Sequence, residues 1–376
     1  MTTQSRKALV LSCMLTTALF SGAGSAEMQP PMKSWINFYT HSGQWTGKPH
    51  IDLIGIIQPS YTWVDDATPV EDQFSFQRAR LGVRGSATEN ISYFALYELA
   101  RNGATATTDG GARLLDAQIN VKLTNYANLR LGQFIPSFAT AMTPGAVAHW
   151  IDYTDIEKTV WFFNRVGDTE TTALREMGAS VWNEFRSGLH SFTYELGVYN
   201  GTGLAQVESN DDDRDVILGL RYAYGPLWTH AGYWTGDRKI GGQQLSKDKW
   251  SATLGLGNYV NGKYWIFGEY LSTEQEQPAG PDLESDGYYI AAGWKPTPKT
   301  QLTYRYSECD CTDNIGPPGP RDSRVNSIIA EYFIKGNIKV AAQYDIRHDD
   351  ADAVPGAESN AFRIMLSLPF SYRLTP

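Results

Sequence analysis

Residues 115–123 read Leu115-Asp116-Ala117-Gln118-Ile119-Asn120-Val121-Lys122-Leu123, an apolar side chain at every odd position and a polar one at every even position. Successive side chains of an extended strand point to opposite faces, so this period of two describes a strand with one greasy face and one wet face. Ile338, Val340, Ala342, Tyr344 and Ile346 repeat the pattern around Lys339, Gln343, Asp345 and Arg347. Phe362, Ile364, Leu366, Leu368 and Phe370 repeat it again near the end of the chain. Sixteen such runs begin near residues 51, 74, 91, 112, 127, 175, 189, 214, 226, 248, 262, 285, 299, 324, 337 and 359. The number is even, as bacterial single-chain membrane barrels require.

The breaks between runs alternate in length without exception: odd-numbered runs lead into long polar breaks, and even-numbered ones into tight turns such as Thr124–Tyr126, Tyr224–Gly225 and Lys335–Gly336. An outer-membrane barrel sorts its connections in this way, with short periplasmic turns and long extracellular loops, which puts both termini in the periplasm. Hydrocarbon offers no water to backbone N–H and C=O groups, so the sheet must close on itself. The expected fold is all-β, a 16-stranded antiparallel transmembrane β-barrel wide enough to hold an aqueous channel. Tyr61, Trp63, Tyr93, Tyr97, Tyr222, Tyr224, Trp228, Trp250, Tyr264, Tyr270, Tyr288, Trp294, Tyr304 and Tyr306 fall near strand limits, where an amphipathic ring sits at headgroup level.

Composition excludes other classes. Charged residues are 19% and aromatic ones 12% of 376 residues, too few and too many respectively for a disordered tail. Beyond the leader, no apolar run approaches the roughly 18 residues a membrane helix needs. Residues 1–26 read as an export signal: Arg6 and Lys7, the apolar stretch Ala8 to Phe20, and Gly24 and Ala26 at the cleavage positions. A lipid-attachment box ending at Cys13 is the alternative, and the apolar run ahead of it is short for one. Loss of Arg6 and Lys7 takes the net charge from −9 to −11, which argues against a nucleic-acid partner. The remainder divides into a periplasmic segment, residues 27–50, and the barrel, residues 51–376, in the bacterial outer membrane.

Parity assigns the channel wall. Arg78, Arg80, Arg84, Lys122, Arg130, Arg221, Lys263, Arg305, Lys339, Arg347 and Arg363 face inward, as do Glu98, Asp116, Glu176, Glu195, Asp215, Glu269, Glu331 and Asp345. The wall therefore carries an excess of three positive charges while the acid surplus lies in loops, a distribution that favours small anions. The densest cationic feature is Phe76-Gln77-Arg78-Ala79-Arg80-Leu81-Gly82-Val83-Arg84-Gly85. Its three arginines share one face at about 6.6 Å per step. Either they form a ladder that passes an anion between guanidinium forks, or they pair with wall carboxylates such as Glu98 and Asp116.

These residues resemble the phosphate-selective porins O and P. The likeness is carried by Arg78-Ala79-Arg80-Leu81-Gly82, by Leu115-Asp116-Ala117, by Leu129-Arg130-Leu131-Gly132-Gln133-Phe134, and by Tyr194-Glu195-Leu196-Gly197-Val198-Tyr199-Asn200-Gly201-Thr202-Gly203. It implies an outer-membrane porin, a homotrimer, whose third extracellular loop folds into the lumen as a constriction. Here that loop is residues 135–174, with a short helix expected within Pro144–Phe163. The loop contributes Lys158 and Arg165 to the anion-binding set but also carries Asp152, Asp155, Glu157, Asp168 and Glu170. Phosphate, another oxyanion and general small hydrophilic solutes all fit such a lining.

Catalytic chemistry has little to rest on. The histidines show no metal spacing, and no nucleophile elbow or phosphate loop occurs. No catalytic residue, cofactor or metal is expected, and the partners are outer-membrane lipid, lipopolysaccharide and the permeating solute. A surface scaffold or adhesin with a plugged lumen is the alternative, and a barrel enzyme using His149 a more distant one. Cys309 and Cys311 are expected to form a small loop disulfide or to stay as thiols in preference to holding a soft metal. Asp211-Asp212-Asp213 reads as a solvated loop in preference to a site for a cation bridging lipopolysaccharide.

Overall fold

The computed structural model describes residues 48–65, 72–100, 112–140, 151–162, 175–201, 203, 214–240, 243–259, 262–280, 282–313, 319–349 and 360–374. The expected signal peptide, Arg165, His149 and Asp211 to Asp213 lie outside them. Sixteen strands follow in chain order: β1 (His50–Val64), β2 (Asp72–Ser86), β3 (Ile91–Glu98), β4 (Arg113–Lys122), β5 (Asn128–Phe134), β6 (Glu176–Ser187), β7 (His190–Tyr199) and β8 (Asp215–Tyr224). After them come β9 (Leu227–Ile240), β10 (Gln243–Gly257), β11 (Tyr264–Gln275), β12 (Leu283–Thr297), β13 (Thr300–Asp313), β14 (Gly319–Lys335), β15 (Ile338–Asp349) and β16 (Ala361–Arg373). Each pairs antiparallel with its sequence neighbours, and β1 closes on β16 from Asp52↔Arg373 to Val64↔Ala361. The cylinder leaves no free sheet border, so the interstrand ladder pairs the backbone throughout the hydrocarbon layer. One helix, α1 (Asp155–Phe162), lies within the expected stretch of the long loop.

Period two survives as an outward apolar face. Leu81, Ile119, Leu131, Val181, Leu196, Leu220, Ile266, Ile290, Leu302, Ile328 and Ile364 are exposed on it. Aromatic side chains rim the face at both ends. At the turn end the Phe185 ring lies 6.1 Å from Tyr194 and 6.3 Å from Tyr126, and at the loop end Tyr233 lies 4.1 Å from Trp250. Trp228 departs from this girdle: it stands on the inward parity of β9 and is buried. In the turns after β8 and β14, Gly225 and Gly336 take φ of 55° and 56°, a left-handed conformation that favours glycine.

Two bulges reset the parity. Opposite Gln58 and Pro59 the register steps from Arg78 to Phe76, leaving Gln77 as an extra residue. Strict alternation would place Phe76 beside the arginines, but the bulge turns Phe74 and Phe76 outward while Arg78 stays inside. In the same way Leu115 is extra between Leu114 and Asp116, and it is fully buried with Phe94 and Leu96 instead of facing lipid.

The rule of long breaks after odd strands fails between β9 and β10 and weakens at three other connections: seven residues each separate β1 from β2 and β11 from β12, and the β13–β14 break is shorter still. Only residues 241–242 separate β9 from β10, and residues 314–318 separate β13 from β14. In both cases the pairing runs on beyond the apolar belt, so β10 begins at Gln243 and β14 at Gly319, ahead of the expected 248 and 324. Outside the bilayer both faces meet water, and period two disappears although the ladder continues. At the chain end β16 extends past Phe370 to Arg373, whose Nε donates to Asp52 Oδ1 at 2.8 Å.

Candidate functional site

The segment after β5 touches β2 and β8–β16, which is possible only from inside the barrel, and so its contacts define the lumen face. Its first leg, Ile135–Thr140, lies along β8 to β11. Gly219 on β8 and Gly232 on β9 make room for it: a Cβ at either position would overlap the carbonyl oxygen of Ser137 or Phe138 respectively. The Ser251 hydroxyl donates to the Phe138 carbonyl. The Thr140 amide donates to Glu269 Oε1 at 2.6 Å, and its hydroxyl donates to Thr253 Oγ1 at 2.8 Å.

The second leg, Ile151–Thr154, crosses β13 to β16 and β2. The Ile151 carbonyl accepts Gln77 Nε2 at 2.8 Å, the Asp152 amide donates to Gln343 Oε1 at 3.3 Å, and the Asp152 carbonyl accepts Arg305 Nη1 at 3.0 Å. Thr154 then opens α1 with a capping box. Its hydroxyl accepts the Glu157 amide at 3.3 Å, while Glu157 Oε2 accepts the Thr154 amide at 2.6 Å and its hydroxyl at 2.8 Å. At the far end Lys249 Nζ donates to the Val160 carbonyl at 3.0 Å, setting a cation against the negative end of the helix.

Charge pairing at the helix start is extensive. Asp152 meets Lys158 at 2.9 Å and Arg363 at 3.2 Å, and Asp155 meets Arg347 and the Ser323 hydroxyl, both at 2.8 Å. Burial disfavours both ionised carboxyls, but the cations outweigh it. Lys158, Arg363 and Arg305 hold Asp152 well below the ordinary carboxylate range, and Arg347 and Lys158 hold Asp155 down to about 2. Glu157 differs: burial pushes it up to about 7, against the pull of Arg305 and the Thr154 hydrogen bonds.

Residues assigned to the site from the sequence fall into three groups. Arg80 pairs with Glu98 at 2.7 Å, Arg130 with Glu195 at 3.3 Å, and Arg84 with Asp52 at 3.3 Å. Arg130 is also held between the Phe134 and Trp182 rings, 4.8 and 5.5 Å from its guanidinium carbon. Arg78 and Arg305 instead fasten the loop, Arg78 donating to Gln58 Oε1 at 2.9 Å and to the Tyr153 hydroxyl at 3.2 Å. Arg221 lies over the Trp228 ring at 5.0 Å, and Lys122 is exposed at the periplasmic end of β4. The arginine row of β2 is thus partly a set of wall ion pairs. Lys263, read as inward, sits in the turn before β11 with its ammonium 5.5 Å from the Tyr264 ring.

Several residues of the site went unread in the sequence. Lys247 pairs with Asp215 at 2.8 Å, and Arg175 with Asp116 at 3.0 Å. The lumen is also less uniformly wet than parity implied. Phe138, Ile156 and Val160 of the loop pack with Trp234, Phe267, Leu271, Tyr289 and Ala291 of the wall, so the loop covers an apolar stripe on β9 to β12. Cys309 and Cys311 are bonded to each other on β13 beneath α1, within a strand and not in a loop.

The profile of the Gram-negative porin family matches residues 12–353. No curated protein sequence matches the chain. Among solved structures, an anion-selective porin from Comamonas acidovorans superposes with a TM-score of 0.65 at 12% identity, covering 86% of this chain and 100% of its own. OmpF of Salmonella typhi, in complex with daunomycin, gives 0.60 at 12% identity over 86% and 99%. OmpT of Vibrio cholerae in its trimer form gives 0.58 at 18% identity over 86% and 99%. At these identities the likeness speaks to fold, and it agrees with the closed sixteen-stranded cylinder. By its sequence match and its architecture, the chain belongs to the Gram-negative porin family and is an outer-membrane diffusion channel.

Proposed function

We propose that the channel prefers small hydrophilic anions, oxyanions such as phosphate among them. The observation that carries this reading is the asymmetry at the loop. Asp152 and Asp155 are neutralised by Lys158, Arg347 and Arg363. Arg78, by contrast, donates only to Gln58 and Tyr153, with no carboxylate at ion-pair distance among the described residues. Its full charge beside the loop favours an anion in a confined, poorly screened passage. The wall cations Arg221 and Arg305 add to the same field, Lys122 adds positive charge at the periplasmic end of β4, and Arg80, Arg84 and Arg130 add charge that their carboxylate partners offset. The anion-selective porin of Comamonas acidovorans with the same fold lends support.

The test is the reversal potential of the purified protein in a planar bilayer under a potassium chloride gradient. Anion preference is expected, reduced in Arg78→Gln, with phosphate lowering chloride current in a saturable manner. Cation preference, or a potential unmoved by the substitution, would remove the basis for the reading. We further propose a homotrimer, supported by the trimer form of the Vibrio cholerae OmpT structure. Chemical cross-linking in detergent that stops at one subunit would refute it.

A further inference from the structure

We propose that Cys309 and Cys311 form a thiol-exchange site that serves as a redox-sensitive seat for the constriction helix. The two sulfurs stand on the lumen face of β13, bonded to each other, and both residues are buried. They belong to the same apolar cluster as Ile156 and Val160 of α1. The Thr159 hydroxyl donates to Cys311 Sγ at 3.3 Å. On the adjacent strand Gly287 is the register partner of Cys309, and a Cβ there would come within 3.1 Å of the Ile156 Cβ. The helix therefore rests directly on the disulfide, where the wall has been thinned to receive it. Neither cysteine has a part in the charge network of the loop.

The chemistry is exchange with a small thiol, RSH. When α1 lifts, breaking the hydrogen bond from Thr159 to Cys311, RS⁻ attacks Cys309 Sγ, the S–S bond breaks, and Cys311 leaves as a thiolate that then takes a proton. A second RS⁻ attacks the RS sulfur of the mixed disulfide, releasing RSSR and a Cys309 thiolate that is protonated in turn. Two RSH lose two electrons and two protons, and the protein gains two thiols. Bonded sulfurs stand about 2 Å apart, whereas unbonded ones need roughly 3.5 Å or more. The reduced pair must spread, and in a close-packed interface it cannot do so beneath a helix seated as before. Reduction thus displaces α1, and the helix position gates access to the sulfurs.

The experiment uses the full-length protein in detergent and in planar bilayers, with dithiothreitol as the probe. Alkylation read by mass spectrometry reports exchange without reference to ion flow. The expected results are no alkylation before reductant, two alkylated cysteines after it, and a change of about twofold in single-channel conductance, since a helix about 10 Å across cannot move without altering the free cross-section. The double variant Cys309→Ser/Cys311→Ser should show no response. In Thr159→Val, reduction should quicken about three- to tenfold, the worth of one hydrogen bond that holds α1 on the sulfurs. Thiols already free in the isolated protein, a disulfide inert to dithiothreitol while the barrel stays folded, or full reduction with unchanged conductance would each overturn the proposal. The inference uses the channel reading only for its electrical readout, so a protein that exchanges thiols without conducting would count against the channel and not against the exchange site.

Discussion

Glu269 on β11 accepts the backbone amide of Thr140 at 2.6 Å, and the same buried carboxylate accepts Thr253 Oγ1 at 2.9 Å and the Tyr289 hydroxyl at 2.6 Å. One wall side chain thus ties the first leg of the loop to two further strands. A hydrogen bond to a charged acceptor contributes about 1.5–3 kcal/mol, and a buried donor left bare costs a comparable amount. Glu269→Leu is expected to release residues 137–140 from the wall. Amide hydrogen exchange should show protection lost there and kept in the strands; unchanged protection at Thr140 would place the anchor elsewhere.

Gly219 and Ser137 give a steric version of the same argument. A Cβ on Gly219 would overlap the Ser137 carbonyl oxygen, and backbone cannot swing aside as a long side chain can. Gly219→Val should displace the first leg into the lumen while leaving the barrel folded, since the position belongs to a strand that β-branched residues suit. Lower single-channel conductance is the expected outcome, and wild-type conductance would mean that the loop adjusts at no functional cost.

The strands were legible because membrane and lumen impose opposite demands on alternate residues, as in Asp116 to Leu123. Where a single residue breaks that alternation, as Gln77 and Leu115 do, the pattern on either side reads normally and the insertion is invisible. Lys247 and Lys249 were missed because Ser246 to Lys249 is polar at every position, so the sequence carries no period there although one face is buried in the fold. The loop's partners were hidden for a different reason: Asp152 and Arg363 meet only once the cylinder closes, and nothing local marks either for the other. One signal was present and unused, Thr154 followed three residues later by Glu157, the pattern that starts a helix.

Glu157 gives the docked loop a pH dependence. Its carboxyl is raised from about 4.5 to about 7, chiefly by burial, so the docked state favours the protonated form. Its contribution is fully present below about pH 4.5 and is lost as the pH rises through 7. Asp152 and Asp155 act in the opposite sense, but their stabilisation is complete above the ordinary carboxylate range and does not vary across this window. Exchange protection of α1 should therefore fall between pH 5 and pH 8, and Glu157→Gln, which keeps an acceptor for Thr154 but cannot ionise, should flatten the profile. A wild-type profile already flat would exclude Glu157 as the titrating group.

Ile290 stands at the middle of β12, exposed on the outer face between Gly268 and Tyr306. Arginine at the bilayer midplane of a barrel costs about 2–4 kcal/mol. Ile290→Arg should reduce the folded fraction recovered in lipid, seen as loss of the fast-migrating band of an unheated sample on gel electrophoresis. Full recovery would indicate that this face is covered by protein in the assembled state.

Arg347 and Asp155 offer a way to reverse the field at the loop without touching Arg78. The pair meets at 2.8 Å, both side chains about one-fifth exposed, with Ser323 completing the carboxylate's shell. Arg347→Gln removes a positive charge and leaves Asp155 with only the distant Lys158, 4.0 Å away, as an ionic partner. Lys158 and the Ser323 hydroxyl still oppose the burial of the carboxylate and keep it ionised at neutral pH. The passage beside α1 then changes by one full charge toward negative, and Asp155, freed from its arginine, can turn toward the solute path. The reversal potential in a salt gradient should move toward cation preference, further than in Arg78→Gln because an acid is uncovered as well as a base removed. The double variant Arg347→Gln/Asp155→Asn should return most of the way to wild type. If the single and double variants gave the same potential, Asp155 would not face the permeating ions, and the effect of Arg347 would be that of its own charge alone.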